Sequence, residues 1–349
     1  MTQRRQILVG ASATAISAGL AHALGCELQP PARAAHSPSP ARSAVGSGRA
    51  TSAPSGRPAS SSAGSGTVSA RGDDEGSGAD AANPRMPAIY LPHGGGPWPW
   101  IRDGMFGADR GLAELRAYLE ALPGQLPAPP KAVLVVTAHW EESRPTLSGA
   151  ARPPMLYDYG GFPPHTYEIQ WPAPGDPELA ASIRDELSAA GFEAAIDQRR
   201  GFDHGTFVPM AVAWPGAEVP TVQLSLIRGL DPRRHLELGR ALQPLRDRGV
   251  LILGSGMSYH NMRGFGTAAG ARDALEFDAW LHALTEGSAE ERTEALAHWE
   301  RAPRAQAVHP REEHLLPLMV VAGAAGDAGA RITFSAPVLG TQVSALHFA

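Results

Sequence analysis

The sequence predicts a single α/β domain with a largely parallel central sheet that is flanked by helices. Short, continuous apolar runs are typical of strands that are covered on both faces. Helical patterns lie between these runs, and strands that alternate with helices are typical of an α/β fold. With 43% hydrophobic residues in 349 positions, the chain can bury a sizeable core. We expect the domain to span residues 86–349.

Three apolar runs are the strongest strand candidates: PAIYLP (87–92), AVLVVTA (132–138) and VLILGS (250–255). VPTVQLSLI (219–227) and RITFSA (331–336) are weaker companions. Ligands of open α/β sheets bind beyond the carboxyl ends of the strands. The residues that follow these runs are therefore the first candidates for a functional site.

Helix signals separate the strands. Asp176 can cap a helix that Pro177 opens and Gly191 ends. Ser288 and Glu291 have the spacing of a capping box, in which each side chain bonds the other residue's backbone N–H. Further helices are predicted over 235–248, 277–285 and 288–299.

The first 35 residues have the pattern of an export signal. Arg4 and Arg5 precede a weakly hydrophobic, Ala/Gly-rich run at 7–25, which predicts twin-arginine (Tat) export to the periplasm. A cytoplasmic protein with an unstructured start is the alternative. Cys26 matches a lipid-attachment site poorly, so a lipid anchor is the weaker alternative. We assign 1–35 to the signal segment.

Residues 36–85 contain mostly Ser, Ala, Gly, Pro and Arg, and almost no large apolar side chain. Such a segment cannot bury enough surface to offset its ordering entropy, and we predict a disordered linker.

The net charge is -5 without a basic stripe, which disfavours a nucleic-acid partner. Cys26 is the only cysteine, so neither a disulfide framework nor a cysteine zinc site can form. No later run has the length and hydrophobicity of a membrane span.

Several of the thirteen histidines occupy positions where ligands are expected. His93 follows the first strong strand, His139 ends the second, and His260 comes five residues after the third. If these strands are neighbours, the three histidines converge at one edge of the sheet. His204 lies in GFDHGTFVP, and His314 lies in HPREEHLLPL.

The second of these two motifs contains adjacent candidate ligands. Pro317 cannot donate the hydrogen bond that a helix interior requires, which predicts a kink or a late helix start near Glu313 and His314. A carboxylate and an imidazole at a distorted helix start are both usable metal ligands.

The run His93 to Gly96 resembles the HGGG half of an esterase oxyanion hole, but an esterase also needs a G-x-S-x-G turn. The nearest match, GMSYH at 256–260, fails at its last position. A metal site fits better. Two histidines with one carboxylate are typical of non-haem Fe(II), whereas three histidines resemble a catalytic zinc site.

Seven blocks then carry a resemblance to a known family. In chain order they are LPHGGGPW, VVTAHWEE, YDYGGFPPHTYEIQWPAPGDPELA, GFDHGTFVPM, VPTVQLSL, LILGSGMSYHNMR and EEHLLPL. Together they resemble the class III extradiol ring-cleavage dioxygenases, in particular the 4,5-DOPA dioxygenase-like branch. The resemblance covers nearly everything from Met86 to the C-terminus. One departure is Gly95-Gly96-Pro97 after His93-Gly94, where many relatives read Ser-Pro.

The resemblance implies one mononuclear divalent metal, Fe(II) with Zn(II) as the alternative. It implies His93, His139, His260 and His314 at the metal, and His204 as a pocket residue that handles protons. His260 is either a ligand or a base. Because a related branch uses a glutamate near this position, Glu313 competes with His314 as a ligand.

The implied reaction is the opening of a catechol-type ring by O2, beside a hydroxylated carbon, to a muconic semialdehyde. Four aromatic residues are candidates for the pocket wall: Trp98, Trp140, Tyr157 and Phe162. Two alternatives keep the fold: a zinc-dependent hydrolase, and an exported binder of metal or aromatic ligands without catalysis.

Overall fold

The computed structural model describes residues 84–101, 105–106 and 108–349. The strands are β1 (Ala88–Pro92), β2 (Ala132–Glu142), β3 (Thr146–Ser148), β4 (Ala195–Asp197), β5 (Thr221–Ile227), β6 (Val250–Gly256), β7 (Ala330–Val338) and β8 (Thr341–Phe348). The helices are α1 (Arg110–Ala121), α2 (Pro177–Ala189), α3 (His204–Ala213), α4 (Pro232–Leu242), α5 (Ala268–Ala283), α6 (Ala289–Ala297), α7 (Ala305–Val308) and α8 (Leu316–Ala325). The predicted export segment lies outside the described residues, as does the predicted linker up to residue 83. None of the described helices is long and apolar enough to cross a membrane.

The strands form one sheet in the order β4-β3-β5-β2-β6-β1-β8-β7. The four central strands, β5, β2, β6 and β1, pair in parallel. The antiparallel pairs involve β3, β7 and β8, which flank this centre. The predicted largely parallel α/β sheet is therefore confirmed. The three strands that precede His93, His139 and His260 are adjacent, as their convergence requires.

Helices cover both faces of the central strands. A side chain at Gly254 or Gly256 of β6 would run into the backbone of the segment that enters α8. Between these glycines, the Ser255 hydroxyl donates to the carbonyl of Gly205 in α3. Because successive residues of a strand point to opposite faces, α8 and α3 pack on opposite sides of β6. Each helix carries candidate site residues at or just before its first turn.

The structure confirms the helix signals that the sequence contains. The Asp176 side chain accepts from the Leu179 N–H and opens α2, and Gly191 has a positive φ of 84° just beyond it. Ser288 and Glu291 form the predicted capping box at the start of α6. The helix predicted from residue 277 begins earlier, at Ala268.

Two local features near the predicted ligands differ from a regular strand or helix. His139 does not end β2, which continues to Glu142. It lies in an interruption of the β2–β5 ladder between Val136 and Glu141, beyond the last residue of β2 that pairs with β6. Helix α8 starts only at Leu316, so the predicted late helix start is confirmed.

Candidate metal centre and active site

Five predicted site histidines converge on one cavity at the carboxyl edge of the central strands. The ring centroid of His93 lies 4.9 Å from that of His139, 5.2 Å from that of His204 and 5.3 Å from that of His314. The rings of His260 and His314 stack with centroids 3.3 Å apart and an interplanar angle of 17°. The chain therefore brings together residues that are up to 221 positions apart.

Three of these histidines present ring nitrogens to one point. The Nε2 atoms of His93 and His139 lie 3.2 Å apart. The buried Nε2 of His314 has no hydrogen-bond partner among the described residues. One nitrogen from each of the three rings lies within 4.8 Å of the others, which makes them a set that could hold a metal ion.

The Nδ1 atoms of the same rings point to hydrogen-bond acceptors. His93 Nδ1 lies 2.8 Å from the Gly94 carbonyl oxygen. His314 Nδ1 lies 2.8 Å from Glu313 Oε1, whereas His139 Nδ1 lies at the longer, ion-pair distance of 3.5 Å from Asp158 Oδ2. An acceptor at Nδ1 fixes the proton there and leaves Nε2 free as a metal ligand.

Burial keeps these three rings neutral. Desolvation is the largest cause that lowers the pKa of His93, His139 and His314 well below the usual histidine value. Repulsion from neighbouring histidines lowers each pKa further. Neutral imidazole is the form that binds a metal, so the donor set, its orientation and its unpartnered nitrogen all fit a mononuclear centre.

Glu313 lies behind this donor set. Its Oε1 contacts His314 Nδ1 at 2.8 Å and His260 Nδ1 at 3.1 Å, and its Oε2 lies 3.4 Å from the Arg311 guanidinium. Burial alone would raise the pKa of Glu313, but the hydrogen bond and charge of His260 outweigh it and lower the pKa. The carboxylate therefore contacts the side of the His314 ring opposite its free Nε2.

A second carboxylate, Asp158, holds His204 in the same way. Asp158 Oδ1 accepts from the backbone N–H of His204 at 2.9 Å and lies 2.8 Å from its Nδ1. Burial by itself lowers the pKa of His204, but the charge of Asp158 and this hydrogen bond together raise it. Sequence reasoning missed Asp158. The available signal was one acid between two tyrosines in the YDYGG run of a family block.

Helix α3 begins at His204 and places this ring beside His139, with ring centroids 3.9 Å apart. The N-cap Asp203 is fully buried, accepts from the Thr137 hydroxyl at 2.8 Å and pairs with Arg200 at 2.9 Å. Asp203 thereby ties the start of the helix to the strand that carries His139. Gly205 completes the fit, since an added Cβ would lie 2.8 Å from the His139 ring and from the Thr137 hydroxyl.

The glycines after His93 make a tight turn at the cavity. Gly94 and Gly96 have positive φ values of 80° and 50°. Residues other than glycine rarely adopt this backbone conformation. The Trp98 indole N–H donates to the His93 carbonyl at 2.8 Å and closes the turn. At Gly96 an added Cβ would lie 2.8 Å from the Phe162 ring. The turn brings backbone, rather than side chains, to the cavity beside His93.

Apart from Asp158, largely apolar side chains line the rest of the cavity. They are Met257, Tyr159, Met262, Phe265 and Leu339. None of the four aromatic residues predicted from the sequence is among the lining residues. Trp98 and Phe162 instead pack in the core behind the turn.

The remaining histidines of the described chain lie away from the cavity. His165 is exposed, and its Nε2 contacts the Trp100 carbonyl. His309 is buried and its Nε2 lies 3.1 Å from the Ser258 carbonyl oxygen, so it supports the loop that leads to His260. His235 lies in α4 and is fully buried.

Comparisons with known proteins agree with this geometry. The model of the family "Catalytic LigB subunit of aromatic ring-opening dioxygenase" matches residues 99–342. "Dioxygenase tasH" of Hapsidospora irregularis is 38% identical over 69% of this chain and 78% of its own length. The "4,5-DOPA dioxygenase extradiol" of Beta vulgaris is 43% identical over 57% of this chain and 74% of its own.

The protein of the same name from Escherichia coli (strain K12) is 32% identical over 75% of this chain and 92% of its own. An uncharacterized protein from Escherichia coli K12 provides a solved structure with a TM-score of 0.61 and 28% identity. The match covers 76% of this chain and all of that one. The chain belongs to the LigB family of aromatic ring-opening dioxygenases, which confirms the resemblance to the class III extradiol enzymes.

Proposed function

We propose that this protein cleaves a catechol-type ring beside its hydroxylated carbons with O2, using one Fe(II) ion held by His93, His139 and His314. The observation that carries the proposal is the set of three buried Nε2 atoms, two of them 3.2 Å apart and the third without a partner among the described residues. Such a centre leaves metal positions open for substrate and O2.

The geometry favours His314 over Glu313 as the third ligand. Glu313 is engaged with the Nδ1 atoms of His260 and His314, on the far side of the His314 ring. His260 lies outside the set formed by His93, His139 and His314, and belongs with Glu313 and His314 to a second group that could hold a metal ion. Because the Nδ1 atom of His260 contacts the Glu313 carboxylate, we assign His260 to proton transfer rather than to the metal.

Iron is favoured over zinc by the reaction and not by the ligands. Imidazole binds both metals, so a three-histidine set does not discriminate between them. Zinc has no redox chemistry. When bound, Fe(II) would bring the catechol oxygens and O2 together and allow electrons to pass between them.

The protein residues supply orientation and protons. Asp158 raises the pKa of His204, so His204 is suited to donate a proton to an oxygen atom that comes from O2. His260 directs its Nδ1 to the Glu313 carboxylate, so its Nε2 is free to accept a phenolic proton. Two histidines with opposite proton roles thus flank the three proposed ligands.

The cavity wall supports the same chemistry. Tyr159 and Phe265 offer aromatic surface, and Met257 and Met262 offer apolar, adaptable surface to a planar ring. An apolar wall also limits the access of water to reactive intermediates.

The test uses metal-free protein loaded under nitrogen with Fe(II) or Zn(II) in separate samples. Catechols are added, the samples are exposed to air, and O2 uptake and absorbance are recorded. The proposal expects O2 uptake and a yellow ring-opened product with Fe(II) alone. In a parallel assay with an added ester or amide, hydrolysis by the zinc sample without O2 uptake would favour the hydrolase. Binding of catechol without turnover in either sample would favour the non-catalytic binder.

A further inference from the structure

Two carboxylates in this site make the same pair of contacts. Asp158 contacts the Nδ1 atoms of His204 and His139, at 2.8 Å and 3.5 Å. Glu313 contacts the Nδ1 atoms of His314 and His260, at 2.8 Å and 3.1 Å. In each group one histidine belongs to the proposed ligand set of His93, His139 and His314, and the other does not. Each carboxylate and its two histidines also lie close enough together to hold a metal ion themselves.

Resting on the proposed function, we propose that Asp158 and Glu313 are matched positioning residues, each of which ties one metal ligand to one proton-transferring histidine. A carboxylate oxygen can only accept, so an Nδ1 atom that hydrogen-bonds to it carries the proton. Both histidines of a group then direct Nε2 away from the carboxylate. One carboxylate thereby sets the orientation of a ligand and of a proton carrier together.

The surroundings hold both carboxylates in place. Asp158 also accepts from the backbone N–H of His204, at the first residue of α3. Glu313 is buried, and Arg311 approaches its Oε2 at 3.4 Å while pairing with Glu141 at 2.6 Å. Because each carboxylate contacts two histidines, a change at either one affects both of its rings.

The two sites differ in the oxygens that they use, and this difference sharpens the test. Glu313 contacts both rings through Oε1. In Glu313→Gln an amide oxygen can keep both contacts, and only the charge is lost. Asp158 uses Oδ1 for His204 and Oδ2 for His139. In Asp158→Asn one of the two rings must therefore face the amide NH2 group of the asparagine, which can only donate.

The first measurement is Co(II) affinity of the metal-free protein, determined by competition with a chelator, so that it does not depend on turnover. Loss of a group that orients a metal ligand typically weakens metal binding about 10- to 100-fold. We expect Asp158→Asn and Glu313→Ala to fall in this range and Glu313→Gln to be milder. Glu312 and Asp327 lie outside the cavity and provide controls. Glu312→Gln and Asp327→Asn should bind Co(II) as the wild type does.

The second measurement is kcat of Fe(II)-saturated protein in double-mutant cycles. If Asp158 acts through His204, adding Asp158→Asn to His204→Gln costs less kcat than Asp158→Asn alone in the wild type. The same non-additivity is expected for Glu313→Gln with His260→Gln. A merely structural carboxylate would give additive losses, with lower thermal stability and unchanged Co(II) affinity, and that result would overturn the inference.

The outcomes separate this inference from the proposed function. If the wild-type protein binds Co(II) and opens catechols, and Asp158→Asn and Glu313→Ala behave in the same way, only the positioning roles are refuted. Wild-type protein without turnover refutes the proposed function, while the Co(II) affinities still test the link to the ligands. If Glu313→Ala does not fold, Glu313→Gln and Asp158→Asn remain, because both keep the size of the side chain. Unchanged Co(II) affinity in both would refute the inference.

Discussion

The Nε2 atoms of His93 and His139 face each other at 3.2 Å, although each ring has an acceptor beside its Nδ1. Two unprotonated nitrogens at this separation repel each other unless a proton or a cation lies between them. Burial disfavours a second proton that would charge either ring, since it lowers the pKa of both. A metal cation between the two rings would satisfy both lone pairs.

His93→Ala should abolish tight metal binding, because it removes one of three ligands and leaves two. Elemental analysis after dialysis measures this directly. His165→Ala is the matched control, since this exposed histidine lies outside the cavity and should leave the metal content unchanged. Full metal occupancy in His93→Ala would show that the ligand assignment is wrong.

His204→Gln should separate metal binding from turnover. The substitution removes a proton donor but none of the three proposed ligands, so metal content should stay close to that of the wild type. Positioned acid–base groups typically contribute about 10²- to 10⁴-fold to rate, and kcat should fall within that range. Steady-state O2 uptake by metal-loaded protein measures the loss. A variant with unchanged kcat would remove His204 from the proposed chemistry.

Gly205→Ala should weaken metal binding although alanine is the better helix former. Its Cβ would lie 2.8 Å from the His139 ring, so the ring must move or α3 must shift. Gly124→Ala is the control, because nothing lies within 4 Å of its added Cβ. Co(II) affinity of the two variants provides the comparison. Equal affinities would mean that the site tolerates displacement of His139.

His235 should make unfolding sensitive to acid independently of the active site. Burial lowers the pKa of His235 from 6.5 to about 4, so the folded state binds this proton less well than the unfolded state. Its stabilising contribution is complete above pH 6.5 and is lost as the pH falls toward about 4. The loss approaches about 3 kcal/mol once the pH is below the folded pKa.

His235→Gln isolates this contribution. The glutamine does not titrate, so the variant should lose less stability between neutral and acidic pH than the wild type does. Urea unfolding at several pH values measures both proteins. Parallel pH profiles for the two would show that His235 does not titrate on unfolding as its burial requires.

The sequence predicted the centre of the fold better than its edges. β1, β2 and β6 are continuous apolar runs because they are covered on both faces, and that pattern is visible without a structure. β3 and β4 have only three residues each and offer too short a pattern. His204 to Phe207, the first four residues of α3, are all buried. The helix therefore has no polar face, and its sequence lacks the alternation of polar and apolar residues that predicts a helix.

The histidines of the site were predictable because they follow strand ends or lie in family motifs. Their partners were not. Asp158 acts through contacts with His204 and His139, and these contacts depend on the fold of the loop before α3. The choice between Glu313 and His314 was likewise open in the sequence, since both are adjacent ligands. Our proposal of His314 rests on the contact of Glu313 with the Nδ1 side of the His314 ring.

The most direct test of the account is to follow isotopically labelled O2 through the reaction. Protein loaded with Fe(II) under nitrogen is mixed with a catechol and labelled O2, and the product is analysed by mass spectrometry. The account predicts a ring-opened semialdehyde that carries both labelled oxygen atoms, and no such product from His93→Ala. A wild-type product without label, or an intact ring after complete metal loading, would contradict it.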